Sequence, residues 1–400
     1  MVVEIVRLNH TGDGVGYLDG KVIFVSKTIP GDVILVKNIQ DKKSYYLGEV
    51  EKYLERGSFF ERAVCPYYQE CGGCQIMDLP YLEQLNYKKN KVIDIFKKYT
   101  SLKIEPEIVG SSQQFYYRNK ITLQVENGNI GLYHPKTRKL VPIKSCFLVK
   151  RGINEVIQIL SSLNLSEVFQ IVIKEFQQKI MVQIKGHVNE KDFICSLKNE
   201  VASIYVNDKL VYGQEKLEEK LEDKYYFISP DSFFQVNKEQ TIRLYGKVKE
   251  YLGTGNLEVL DLYCGMASIG IFVNETSKKI VGVELNDSSV KDARENILRN
   301  HLSNVVVKKG DVGSLLEVKN TYDAVIVDPP RSGLDKRTRD GLLQMNVEKI
   351  IYVSCNPITL ARDIFDLEKK YEFKEITLFD LFPNTYHVES IVLLNRRKSL

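Results

Sequence analysis

Cys355 stands where a nucleophile could be put to use. It follows the apolar run Ile350-Ile-Tyr-Val-Ser354 and precedes Asn356-Pro357, and proline favours the first turn of a helix. A thiol at a strand end and close to a helix N-terminus is expected to have a lowered pKa and more thiolate. Taken alone, the same position also suits a small buried hydrophobe. Asp328-Pro-Pro-Arg331 ends another apolar run. Its two prolines remove backbone donors and stiffen the exit. Asp328 is thereby held at the carboxyl edge of a sheet, where α/β proteins bind ligands.

A second constellation reads as a nucleoside pocket. Asp261-Leu-Tyr-Cys-Gly265-Met-Ala-Ser-Ile-Gly270 follows a strand and opens a helix, with Asp261 taken as part of the loop. Glycine there lets backbone approach a ligand. Glu284 ends the next strand, where a carboxylate can accept from both ribose hydroxyls, and Asp311 follows the third strand, beside an adenine edge. The spacing is not G-x-G-x-x-G. A loop rich in carboxylates suits a methylsulfonium cation better than a pyrophosphate, so S-adenosylmethionine is favoured over NAD. A third constellation is Cys65-x5-Cys71-x2-Cys74 with the distant Cys146. Four thiols with Gly72 and Gly73 in the loop suit zinc or an iron–sulfur cluster. Cys195 and Cys264 read as packed hydrophobes.

These residues need elements to hold them. Residues 1–53 carry several short strands between glycine-rich turns and suggest a small β-barrel of a kind that often binds RNA. Leu82, Leu85, Val92, Ile95 and Phe96 can share one face of a helix over 79–99. On that helix Lys88, Lys89, Lys91, Lys97 and Lys98 read as a solvated face. Residues 54–228 form an α+β middle domain. From 229 to 400 short apolar strands alternate with helices in a doubly wound α/β pattern. The chain has 400 residues, 44% hydrophobic and 27% charged, which is a soluble globular profile. No apolar run is long enough for a membrane helix, and no signal peptide is read at the start, so the cytoplasm is expected. Seven cysteines, an odd number, argue against a disulfide framework. The net charge of +4 permits a polyanionic partner without demanding one.

Ser354-Cys-Asn-Pro-Ile-Thr-Leu-Ala-Arg-Asp363, Asp328-Pro-Pro-Arg331, Ser232-Phe-Phe-Gln-Val-Asn237 and His387-Val-Glu-Ser390 resemble, in order, the motifs of the RNA uracil-5 methyltransferases. The first 53 residues resemble a TRAM domain, and Tyr117-Arg-Asn-Lys120 is similar to a middle-domain segment of the family. The resemblance implies a Rossmann-like class I methyltransferase domain behind an OB-like TRAM barrel. It implies Cys355 as nucleophile on uracil C6 and Glu389 as the base that takes the C5 proton, its pKa raised by an apolar setting. His387 would orient Glu389. Gln235, Tyr263, Ser268, Glu284, Asp311 and Asp328 match cofactor-contacting positions, with Ser268 standing where some members carry Asn. Arg118, Lys120 and Arg331 become candidate RNA contacts. The cysteine spacing implies a [4Fe–4S] cluster on Cys65, Cys71, Cys74 and Cys146. The expected partner is RNA rather than DNA, 23S ribosomal RNA before a transfer-RNA T-loop, and the expected state is a monomer. A non-catalytic iron–sulfur RNA-binding protein and an NAD-dependent oxidoreductase are the competing classes.

Overall fold

The computed structural model describes residues 1–315 and 322–398. Five strands close the N-terminal barrel: β1 (Val2–Leu8), β2 (Gly14–Leu18), β3 (Lys21–Val25), β4 (Val33–Asp41) and β5 (Tyr46–Glu55). Alternation along each strand sends Val3, Ile5, Ile23, Val25 and Ile34 into its core. A loop carrying three cysteines then leads into α1 (Tyr81–Tyr99) and the short β6 (Glu107–Val109).

The next unit is built from β7 (Lys120–Glu126), β8 (Asn129–Tyr133), β9 (Leu140–Pro142), α2 (Arg151–Leu160), β10 (Val168–Phe176), β11 (Lys179–Gly186), α3 (Glu190–Leu197), β12 (Ser203–Val206) and β13 (Lys209–Gly213). Its seven strands run in the order β13-β12-β11-β10-β7-β8-β9. Ile153, Val156, Ile157 and Leu160 of α2 and Phe193 and Leu197 of α3 share one core with the sheet. The hairpin β14 (Leu217–Leu221) and β15 (Lys224–Ile228) leads on to α4 (Lys238–Leu252).

Then come β16 (Leu257–Leu262), α5 (Ser268–Phe272), β17 (Ser277–Glu284), α6 (Asp287–Arg299), β18 (Val305–Lys309), α7 (Val312–Leu315), β19 (Ala324–Val327), α8 (Lys336–Gln344), β20 (Lys349–Ser354), α9 (Pro357–Leu367), β21 (Tyr371–Phe379) and β22 (Glu389–Arg396). The sheet has eight strands in the order β18-β17-β16-β19-β20-β22-β21-β6. β16 to β20 are parallel and β22 runs antiparallel between β20 and β21. All four residues of β19 are fully buried, as both faces of a parallel sheet are covered. Strand order reverses between β16 and β19, the switch point at which such sheets open a ligand crevice.

Two features depart from the sequence expectations. β6 and α1 were grouped with the middle domain, but β6 extends the catalytic sheet beside β21, and α1 packs on α9 through Val92, Ile95 and Phe96. The buried face of α1 also differs. Leu82 is exposed, whereas Gln84, Lys88 and Lys91 are buried, so part of the expected solvated lysine face is interior. Lys88 can be buried because its ammonium meets Asp380 at 2.5 Å and the Phe382 carbonyl at 3.0 Å.

Candidate active site and thiol cavity

The sheet register brings Cys355 and Glu389 together. β20 and β22 are paired as far as Ser354 opposite Ser390, and the next rung would join Cys355 to Glu389. Glu389 is buried, and burial together with Asp328 pushes its carboxyl up to about 8, against the pull of Arg331. Asp328, on the stiff exit of β19, is pushed up to about 7 by burial. The raised Glu389 pKa agrees with expectation.

The thiol does not behave as expected. Burial, then the Glu389 carboxyl, push Cys355 up to about 11, with Arg331 pulling it down. The helix terminus supplies too little to lower it. Pro357 brings no N–H, and the Asn356 side chain already accepts from the Ile358 amide at 3.1 Å. Asn356 Nδ2 also donates to the Arg331 carbonyl at 2.9 Å, which ties the start of α9 to the Asp328-Arg331 turn. His387 does not reach Glu389 among the described contacts. Its ring lies 4.1 Å from that of Tyr386, and Arg331 Nη2 approaches it at 3.4 Å. Burial and Arg331 push its pKa down to about 3, so the imidazole is neutral.

The glycine loop lies over the switch point. Tyr263, Gly265 and Ala267 all have positive φ, a tight path that glycine follows without strain and the other two only because the surroundings hold them. Glu284 braces it. One carboxylate oxygen accepts from the Gly265 amide at 3.0 Å and the other from the Asn286 amide at 2.8 Å. Ser268 begins α5, its hydroxyl 2.8 Å from that of Tyr245. Asp311 is exposed and accepts from the Ser314 amide and hydroxyl, bonds that hold its carboxyl below the usual range. Tyr263 reaches the Thr338 hydroxyl at 3.2 Å.

Asp261 belongs to β16 rather than to the loop. It lies beside the Gly270 amide, yet neither carboxylate oxygen has a hydrogen bond of good geometry among the described residues. Burial, then Asp328, push it up to about 8. Asp261, Asp328 and Glu284 thus turn acid towards one crevice, with no lysine or arginine paired to any of them among the described ion pairs. Neighbouring acids, Asp261 buried and Asp328 and Glu284 half-buried, without a cation fit a positively charged ligand such as a methylsulfonium. Asp261 was missed as a site residue. Its signal was a charged residue inside the apolar run Val259-Leu-Asp-Leu.

Cys65, Cys71, Cys74 and Cys146 line one cavity of about 460 Å³, together with Arg118, Lys120, Phe233, Gln235 and Arg331. The sequence thus brings its four-cysteine set to one place, beside Gln235 and Arg331, and Arg331 also lines a second cavity with Cys355. Among the described residues, however, no group of three or more His, Cys, Asp or Glu side chains is arranged to hold a metal ion. All seven cysteines are free. Lys27 stands over the thiol loop, donating to the carbonyls of Cys71 (3.2 Å) and Cys74. Burial pushes Cys65, Cys71 and Cys74 up and Lys27 down. Lys27 gave no signal in the sequence.

Comparison with known proteins decides the class. The model of the family described as tRNA (Uracil-5-)-methyltransferase matches residues 80–311 and 313–397, and the TRAM domain model matches residues 1–50. The chain belongs to the uracil-5-methyltransferase family. A Bacillus cereus protein described as an uncharacterized RNA methyltransferase is 32% identical, covering 99% of this chain and 96% of its own length. A Clostridium acetobutylicum relative with the same description is 30% identical over 97% of this chain and 95% of its own. Among solved structures, the tRNA (uracil-54, C5)-methyltransferase of Pyrococcus abyssi in complex with S-adenosyl-L-homocysteine is 29% identical. It superposes with a TM-score of 0.81 over 98% of this chain and 100% of its own. This uracil-5-methyltransferase is therefore an S-adenosylmethionine-dependent RNA-modifying enzyme with a class I fold and a TRAM barrel.

Proposed function

We propose that the enzyme methylates C5 of a uridine in 23S ribosomal RNA through a transient bond from Cys355 Sγ to C6. The observation that carries the mechanism is the β20–β22 register, which leaves the thiol and the Glu389 carboxyl side by side at one strand end, with Asp328 and Arg331 against them. Uracil C5 alone is too weak a nucleophile. The Cys355 thiolate adds to C6, and the displaced electron pair moves to O4 as an enolate. C5 then takes the methyl group. The Glu389 carboxylate removes the C5 proton, the C5–C6 double bond re-forms, and the S–C6 bond breaks to return the thiolate.

Gln235, Tyr263, Ser268, Glu284, Asp311 and Asp328 would hold the methyl donor, with Asp261 behind them. S-adenosylmethionine supplies, when bound, the electrophilic methyl and a positive sulfonium. Arg331 pulls the Cys355 thiol towards ionisation, and a cation at Asp328 would remove one of the two carboxyls that oppose it. The target base must leave its stack to reach this pocket. Phe233, 71% exposed beside Arg118 and Lys120, offers it or a neighbour an aromatic face.

The four thiols line one cavity of about 460 Å³ and lie close enough to influence one another's ionisation, which supports a single shared occupant. The reading is a [4Fe–4S] cluster on Cys65, Cys71, Cys74 and Cys146. Lys27 would offset its negative charge, and the role would be structural. Free thiols of this kind belong in a reducing cytoplasm.

The ribosomal target follows from the pairing of a TRAM barrel with the cysteine set. Transfer RNA is the second reading. It is favoured by the Pyrococcus abyssi protein, which is named as a tRNA methyltransferase and aligns with this chain along nearly its whole length. The deciding experiment gives the enzyme labelled S-adenosylmethionine with ribosomal and transfer RNA from cells lacking it and identifies the product nucleoside. Label in 5-methyluridine of 23S RNA supports the proposal. Label confined to transfer RNA replaces the target, and label in neither removes both.

A further inference from the structure

A cavity of about 200 Å³ opens beside Cys355, walled by Lys91, Arg331, Tyr386 and His387, with His10 of the barrel at its mouth. No Asp or Glu is among its described lining residues. That is the reverse of the neighbouring crevice, which is lined with acid. Lys91 is only 8% exposed. Its ammonium has three protons, yet among the described contacts it has one acceptor, the Tyr386 carbonyl, and no carboxylate. The rings of Tyr386 and Tyr87 lie 5.3 and 5.7 Å away.

Lys88, one turn earlier on α1, shows what a structural lysine looks like here, with Asp380 as its counter-charge. Lys91 has none, and burial followed by repulsion from Lys88 pushes its pKa down to about 7. A buried ammonium without an anion is costly unless something anionic completes it. RNA carries such an anion at every nucleotide, and charge-assisted bonds to phosphate are the strong ones.

We propose that this cavity is a phosphate subsite, in which Lys91 and Arg331, with His10 at the rim, receive the backbone phosphodiester adjoining the uridine held at Cys355. The phosphate supplies the acceptors the Lys91 ammonium lacks. It also ties the barrel loop to the catalytic sheet when RNA is bound, since His10 and Cys355 line the same space. The inference rests on the placement of the target uridine at Cys355.

The test measures RNA KM and kcat over a range of salt for wild type, Lys91→Met and Lys91→Arg. One lost phosphate contact should raise KM on the order of 10-fold or more and flatten the dependence of log KM on log salt by about 0.7 to 0.9. Lys91→Arg should restore the slope. Lys91→Met should melt no lower than wild type, because it removes an unpaired buried charge; if it does not fold, Lys91→Gln carries the same readout. An unchanged slope overturns the subsite. So does a fall in kcat at constant slope, which would move the contact to a uracil oxygen. If Cys355→Ala stays active, the placement of the uridine has failed instead; if it is dead and the slope is unchanged, only the subsite has.

Discussion

The acidic crevice and the thiol cavity are built from opposite materials and reach a similar condition. At the strand ends, Asp261 and Glu389 are buried and Asp328 is half-buried, and each is pushed towards its neutral form. In the loop before α1, Cys65, Cys71 and Cys74 are pushed the same way, while Lys27 is pushed towards its own neutral form. Each region holds groups that water would have kept charged, the acids in the crevice and Lys27 beside the thiols. The support differs. The acids stand at or near the ends of strands β16, β19 and β22 of one sheet, which fixes them whether or not anything is bound. Three of the thiols sit on a stretch without helix or strand, between β5 and α1. The acidic crevice is thus held by the sheet, whereas the thiol loop is held by tertiary contacts such as Lys27 and the Gly72 amide bonded to the Tyr133 carbonyl.

The sharpest break of that comparison is at the centre of the crevice. Cys355→Ala should lower methyl transfer on the order of 10⁴-fold or more while leaving the melting temperature nearly intact, because the strands do the positioning. RNA carrying 5-fluorouridine should trap a denaturation-resistant adduct with wild type and none with the variant. An adduct that survives the substitution would place the nucleophile elsewhere. Glu389→Gln should cost about 10²- to 10⁴-fold, the usual worth of a general base, and methylated RNA should accumulate bound to the protein. A slow variant with no accumulated adduct would mean that Glu389 acts before methyl transfer.

The crevice acids also set a pH dependence. Their folded pKa values, about 7 to 8, lie above the ordinary carboxylate value of about 4. Between those limits the folded chain holds more protons than the unfolded one, so their contribution to stability is complete at low pH and is lost as pH rises through 7 to 8. The three interact, so one broad transition is expected. The melting temperature of the ligand-free enzyme should fall by a few degrees from about pH 6.5 to about pH 8.5. Saturating S-adenosylmethionine should shrink the drop more than the uncharged-sulfur product does. A flat profile in the absence of ligand would mean that the acids are compensated in solution.

What the sequence disclosed follows the same division. The crevice was legible because strands announce themselves as apolar runs, and their ends carried Asp328, Cys355 and Glu284. The β20–β22 register was not legible, since Glu389 reaches Cys355 only through a strand inserted antiparallel from beyond β21. The ionisation of Cys355 was misjudged for a related reason. Proximity to a helix terminus is a local feature, while the burial and the two carboxyls that outweigh it come from other strands. Lys88 and Lys91 looked like surface because a lysine is ordinarily solvated. Only the tertiary partners, Asp380 for one and an acid-free cavity for the other, distinguish them. The four cysteines were legible as a set by spacing, but Lys27, at the end of the barrel, was not.

The smallest effect on rate is expected from the thiol cavity, and it tests the other half of the comparison. Cys74→Ser should abolish bound iron and sulfide and the visible absorbance that accompanies them. Because the loop has no secondary structure to fall back on, the melting temperature should drop and protease should cut between β5 and α1. The methyl-transfer step needs no electron, so kcat per folded molecule should fall less than about 10-fold, with most of the loss in RNA KM through the wall shared with Arg118 and Arg331. A wild-type protein purified anaerobically without iron, yet with a rigid loop, would end the cluster reading. It would also make the loop as preorganised as the crevice, held by Lys27 together with bonds such as the Gly72 amide to the Tyr133 carbonyl and Tyr68 Oη to the Gln75 carbonyl.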